Sequence, residues 1–139
     1  MMKCVQVARI ELPIGLDSLR AFHDFVARET LQAGLPEPDA GLFDIAALEV
    51  FTNIVRHTKG LPDHAMVKVS AYCTAQEFVL EVVHPGEAFT PPKHLPAAEL
   101  ADFPEGGFGL SIIHQACDRV TYTHGHGANT VRLGRNIRP

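Results

Sequence analysis

The stretch Ala47-Leu48-Glu49-Val50-Phe51-Thr52-Asn53-Ile54-Val55-Arg56-His57 decides how the chain is read. Glu49, Asn53 and His57 stand four residues apart. Four residues turn a helix by about 400°, so the three form one polar row on an otherwise apolar helix. Phe43, Ala47, Val50, Phe51 and Ile54 fill the opposite side. Asp39, just after Pro38, is an N-cap candidate, and Gly60 and Pro62 are stop signals. These marks predict a helix from Asp39 to about Lys59. A carboxylate and an amide one turn apart can share a cation or a water. Asn supplies a carbonyl oxygen to Mg²⁺, and Glu can polarise a hydroxyl. The plainer reading of the same row is a solvated helix face, and the spacing taken alone favours it.

Outward from this helix, Cys4 to Leu12 reads as a first strand or strand pair, with Val5, Val7 and Ile10 inside it and Pro13 at its end. Asp17 or Ser18 can cap a helix carrying Leu19, Phe22, Val26 and Leu31, which Gly34 and Pro36 stop. On the C-terminal side, Ala65 to Cys73 alternates as a half-buried strand does: Val67, Val69, Ala71 and Cys73 against Lys68, Ser70 and Tyr72. Ala75-Gln76 is a turn, and Glu77 to Val83 completes a hairpin. The prolines and glycine from Pro85 to Pro96 predict a long loop, followed by a short helix over Pro96 to Asp102. Gly106-Gly107-Phe108-Gly109 opens a helix from Leu110 to Cys117. Arg119–His124 and Asn129–Leu133 are strands around a Gly125-His126-Gly127-Ala128 turn. Hairpins with helices between them imply an α+β fold, a two-layer sandwich whose mixed, mostly antiparallel sheet carries its helices on one face.

A chain of 139 residues fits a single domain over 1–139, and 46% hydrophobic against 20% charged residues argues against disorder. The net charge of −4 speaks against a general nucleic-acid binder. The longest unbroken apolar run is Ile45-Ala46-Ala47-Leu48, too short to span a bilayer, and no signal peptide is visible. Cys4, Cys73 and Cys117 are odd in number and widely spaced, which suggests inert thiols in a reducing cytoplasm.

Two further features bear on chemistry. Gly106, Gly107 and Gly109 precede a helix, and backbone N–H groups at such a turn can hold an anion. The Lys-Ser/Thr end of a Walker A loop is missing. Of the eight histidines, His124 and His126 stand two apart without a third ligand nearby in sequence, so a zinc site is not expected. His57 reads as a hydrogen-bonding partner at a helix end rather than a ligand.

These signals occur in an order that resembles the GHKL ATPase superfamily. The Ala47–His57 stretch is similar to its N box. Val83-His84-Pro85-Gly86-Glu87-Ala88-Phe89 is similar to its G1 box, and Gly106-Gly107-Phe108-Gly109-Leu110 to its G2 box. Ile112 to Val120 and the closing Gly127-Ala128-Asn129-Thr130-Val131-Arg132-Leu133 resemble the small anti-sigma-factor serine kinases of that superfamily. The resemblance covers nearly the whole chain and implies the GHKL (Bergerat) sandwich.

Carried over residue by residue, the resemblance implies that Glu49 is the general base for a substrate serine and that Asn53 holds Mg²⁺. It implies that Gly106, Gly107, Gly109 and Leu110 cradle phosphate, and that His57, His84, Gly86 and Thr130 complete an ATP or ADP site. The Pro91–Glu105 segment would be the ATP lid. In the family the G1 box opens with an Asp that accepts from the adenine amino group; here His84 stands there, and Ala88 replaces the second glycine. A missing buried acceptor costs about 1–3 kcal/mol. Two functions therefore compete. One is an ATP/Mg-dependent serine/threonine kinase acting on an anti-sigma factor antagonist in a partner-switching system. The other is an anti-sigma or partner-binding module of the same fold with weak or no turnover. Both imply protein partners, a sigma factor or the antagonist, without direct contact to nucleic acid or membrane. A homodimer is compatible with either.

Overall fold

The structure is a computed structural model that describes residues 7–88 and 107–137. At its centre is the hairpin of β2 (Met66–Cys73) and β3 (Glu77–Pro85). Successive strand side chains alternate faces, so Val67, Val69 and Ala71 enter the core together with Phe78, Leu80 and Val82. Thr74 shapes the turn: its hydroxyl accepts from the N–H groups of Gln76 and Glu77 at 3.2 and 3.0 Å. β3 continues past Val83 and includes His84.

β1 (Ala8–Pro13) pairs with β2, and β4 (Arg119–Gly125) forms a second hairpin with β5 (Ala128–Asn136), which lies beside β3. The order is β1-β2-β3-β5-β4. Among the described residues every neighbouring pair of strands is antiparallel. His126 and Gly127 turn the second hairpin with φ of 54° and 76°. Two successive positive φ values belong to the tight turn that matches the twist of a hairpin.

Three described helices, α1 (Leu19–Ala33), α2 (Glu37–His57) and α3 (Gly107–Ala116), pack on one face of the sheet. α1 follows a short 3₁₀ turn (Leu16–Ser18) and ends at the left-handed Gly34. Ser18 occupies its N-cap position without a side-chain cap bond, and Leu31 is 77% exposed, its expected inward place taken by Thr30. α2 begins at Glu37, earlier than the predicted Asp39. Pro38 sits in the first turn, where a missing N–H removes no helical bond. Asp39 is thus inside the helix and bonds Arg135 instead of capping. The face of α2 with Phe43, Ala47, Val50, Phe51 and Ile54 is buried as predicted. Phe51 stacks on Phe22 of α1 at 4.8 Å, and Phe43 meets Phe78 of β3 edge-on at 5.2 Å.

α3 is described from Gly107, so Gly107 and Gly109 lie within the helix instead of preceding it. Cys4, Gly106, the short helix over Pro96–Asp102 and the segment Pro91–Glu105 lie outside the described residues. The sheet's other face carries ion pairs, Arg132 to Glu81 at 2.6 Å and Arg119 to Glu77. Among the described residues no helix is long and apolar enough to cross a membrane.

Candidate functional site

The C-terminal end of α2 and the exit of β3 are held against each other. The Glu87 N–H donates to the Lys59 carbonyl at 2.9 Å, tying the α2–β2 connection to the end of β3. Gly86 permits this approach. Its φ is 120°, and a Cβ there would stand 2.7 Å from the Thr58 methyl and 3.0 Å from the Lys59 oxygen. Any larger residue would be strained and would clash. The Glu87 carbonyl in turn accepts from Asn129 Nδ2 at 2.9 Å, which joins the same segment to β5. α3 packs along α2 from the other side of the chain's path.

Glu49 and Asn53 are half-buried on α2, and His57, the last helical residue, is exposed. The two inner members of the row therefore sit at the margin of the core, beside buried Val50 and Ile54. A carboxylate and an amide carbonyl one turn apart offer hard oxygen donors and a proton acceptor.

His84 is 1% exposed on the inner face of β3, and its strand partner on β5 is Asn129, 2% exposed. His84 Nδ1 lies 3.1 Å from the Pro85 carbonyl. A carbonyl can only accept, so Nδ1 carries the proton and Nε2 is the acceptor nitrogen. Burial lowers the His84 pKa, the hydrogen bond to Pro85 opposing it in part, so the ring is held neutral. The position that holds Asp in the resembling family thus keeps an acceptor, but an uncharged one.

Thr130 does not join this pair. It is the strand partner of Val83 and points to the face without helices. Asn129 occupies the inner place, and sequence reasoning missed it. The signal was present in the alternation: Asn129 is in phase with Val131 and Leu133, both buried. Gly107, Gly109 and Leu110 contribute backbone N–H groups of the first turn of α3. His124 and His126 are exposed in the hairpin beside this pair, His124 being the β4 partner of Asn129, and among the described residues no group of three His, Cys, Asp or Glu could hold a metal.

The family described as histidine kinase-like ATPase domain matches residues 12–135. The chain belongs to that family. Among solved structures, this chain is similar to the RsbU and RsbW domains of Rv1364c from Mycobacterium tuberculosis, with TM-score 0.64 and 17% identity over 97% of this chain and 34% of that one. It spans about a third of that longer protein. It is also similar to a chain of the SiaB-SiaC complex from Pseudomonas aeruginosa, with TM-score 0.60 and 16% identity over 94% of this chain and 89% of that one. The Acinetobacter baumannii histidine kinase AdeS gives TM-score 0.50 and 13% identity over 97% of this chain and 70% of that one. At these identities the likeness is one of fold. No curated protein matches the sequence.

The residues present fit a magnesium nucleotide. Mg²⁺ prefers one or two protein oxygens together with substrate phosphates over an all-protein cage, and Asn53 offers one such oxygen on α2. The N-terminal part of the described α3 carries Gly107, Gly109 and Leu110, and a helix N-terminus is a place that suits phosphate.

Proposed function

We propose that this ATPase domain binds ATP or ADP with Mg²⁺ and acts as an anti-sigma regulatory factor that phosphorylates a serine or threonine of an anti-sigma factor antagonist. The observation that carries the reading is the pair Glu49 and Asn53, one turn apart and half-buried on α2, the helix whose C-terminal connection is tied to the β3 exit. The similarity in fold to an RsbW domain and to a chain of the SiaB-SiaC complex supports a protein partner. A cytoplasmic place, where thiols stay reduced, agrees with the unbridged thiol of Cys117.

When bound, the magnesium nucleotide supplies the transferable phosphoryl group and neutralises its charge. The chain's own residues position and deprotonate. Asn53 Oδ1 would face the metal. The N–H groups of Gly107, Gly109 and Leu110 would hold phosphate oxygens. His84 Nε2 would accept from the adenine amino group, and an acceptor there disfavours the carbonyl of guanine. Glu49 would take the proton from the substrate hydroxyl.

His84 favours a second reading, a partner-binding module with little turnover, because a neutral acceptor binds more weakly than a charged one. The two separate in one experiment. Wild type and Glu49→Gln are used to capture partners from the source cell's extract with Mg-ATP, and the captured proteins are analysed for phosphoserine and phosphothreonine by mass spectrometry. Phosphorylation by wild type alone supports the kinase; an equal, unmodified catch by both supports the module.

A further inference from the structure

Arg135 stands where the two helices of the candidate site meet the sheet. It lies on β5 in phase with Asn129, Val131 and Leu133, so it points to the helix layer. Its guanidinium forks. Nη1 donates to the carbonyl of Ala116, the last residue of α3, at 2.9 Å. Nη2 donates to Asp39 Oδ1, in the first turn of α2, at 2.9 Å. The two side chains are 19% and 30% exposed, which shields the pair from solvent in part. Each charge also suits the helix end it touches: a carboxylate at the start of α2 and a cation at the last carbonyl of α3. The same junction is bound to β5 twice more, by the Asp118 N–H to the Gly134 carbonyl at 2.8 Å and by the Asn136 N–H to Asp118 Oδ2 at 2.6 Å.

The helix ends gathered here are the ones remote from the site. α3 has ten residues, so its first turn lies about 15 Å from the junction. The same rise along α2 from Asp39 reaches Glu49. Because α2 and α3 pack together, a small tilt at the junction becomes a larger displacement between the first turn of α3 and the Glu49–Asn53 row.

We propose that Arg135, acting with Asp39, is a positioning residue that sets where the first turn of α3 stands relative to Glu49 and Asn53. The inference rests on reading that site as a nucleotide site. Arg135 itself touches no ligand. Only a planar fork can serve both acceptors in fixed directions, so a lysine does not replace it.

The test compares Arg135→Lys and the milder Asp39→Asn with Arg132→Lys, which breaks a similar fork to Glu81 on the helix-free face. Two quantities are measured on folded protein: amide hydrogen exchange over 107–116 without ligand, and Mg-ADP affinity by calorimetry. Arg135→Lys and Asp39→Asn are expected to speed exchange in α3 and to weaken Mg-ADP by roughly tenfold, while Arg132→Lys changes neither. The charge swap Asp39→Arg with Arg135→Asp is expected not to rescue, since it sets a carboxylate against the Ala116 carbonyl. Exchange in Arg135→Lys no faster than in Arg132→Lys overturns the proposal, as does full rescue by the swap. Absence of Mg-ADP binding by wild type overturns the nucleotide reading, and the exchange data still decide whether Arg135 places α3.

Discussion

His84 and Asn129 face each other across β3 and β5, both almost fully buried on the inner side of the sheet. They are two polar side chains at the end of a surface otherwise made of Val82, Val131, Leu80 and Leu133. Each also fixes backbone at the strand exit, His84 through the Pro85 carbonyl and Asn129 through the Glu87 carbonyl. Buried polar groups persist when they are hydrogen-bonded, and this pair binds the turn that leads from β3 towards the candidate site.

The burial of His84 makes stability depend on pH. Its folded pKa is lowered by desolvation, so below about pH 6.5 the unfolded chain binds the proton more readily. The contribution is fully present above that pH and is lost as pH falls towards the folded pKa, by at most about 1.4 kcal/mol per unit. His84→Asn keeps an N–H for the Pro85 carbonyl and removes the titration. Its unfolding free energy should be flatter than that of wild type between pH 7.5 and 5.5, measured by urea denaturation.

Gly86→Ala should destabilise by about 1–3 kcal/mol, since it combines a positive-φ penalty with a forced shift of Thr58. Thermal unfolding measures this. A control, Gly41→Ala, places its Cβ in open space on α2 and should stabilise by up to about 1 kcal/mol.

Glu49→Gln should lower phosphotransfer about 10²–10⁴-fold and leave nucleotide affinity within experimental error. The amide keeps the size of the carboxylate and loses its basicity. Equal rates for the two proteins would remove Glu49 from the chemistry.

Burial, opposed by Arg135 and reinforced by Asp118, pushes the Cys117 thiol up to about 12. Reactivity follows the thiolate. N-ethylmaleimide at pH 7.5 should therefore leave Cys117 unmodified in the native protein and label it after denaturation, as peptide mass spectrometry would show.

The layered fold was readable because its signals are local. Alternation in Met66–Cys73, the apolar side of α2 and the Gly127 turn each follow from residue type and period. Boundaries were less readable where two local signals competed. Asp39 looks like an N-cap, but Pro36 and Pro38 allow an earlier start and Arg135 claims its carboxylate across the fold. Leu31 lies half a turn round α1 from Phe22, so Thr30, closer in phase to Val26, takes the inward place. In the site, the Glu49–Asn53 row follows from spacing alone. That Asn129 faces the helix layer and Thr130 the other side depends on strand phase, which a motif match does not carry. The tautomer of His84 depends on the path of the chain at Pro85 and Gly86, and Arg135 acts through contacts far apart in sequence.

The central claim is that the Glu49–Asn53 row of α2 serves a magnesium nucleotide. Calorimetric titration of wild type and Asn53→Ala with ATP, with and without Mg²⁺, tests it most directly. Wild type should bind ATP more tightly with Mg²⁺ than without. Asn53→Ala should lose about tenfold or more in affinity with Mg²⁺, the scale of one lost oxygen ligand, and match wild type without it. An Asn53→Ala protein that binds Mg-ATP as wild type does, or a wild type that binds no ATP under either condition, would contradict the account.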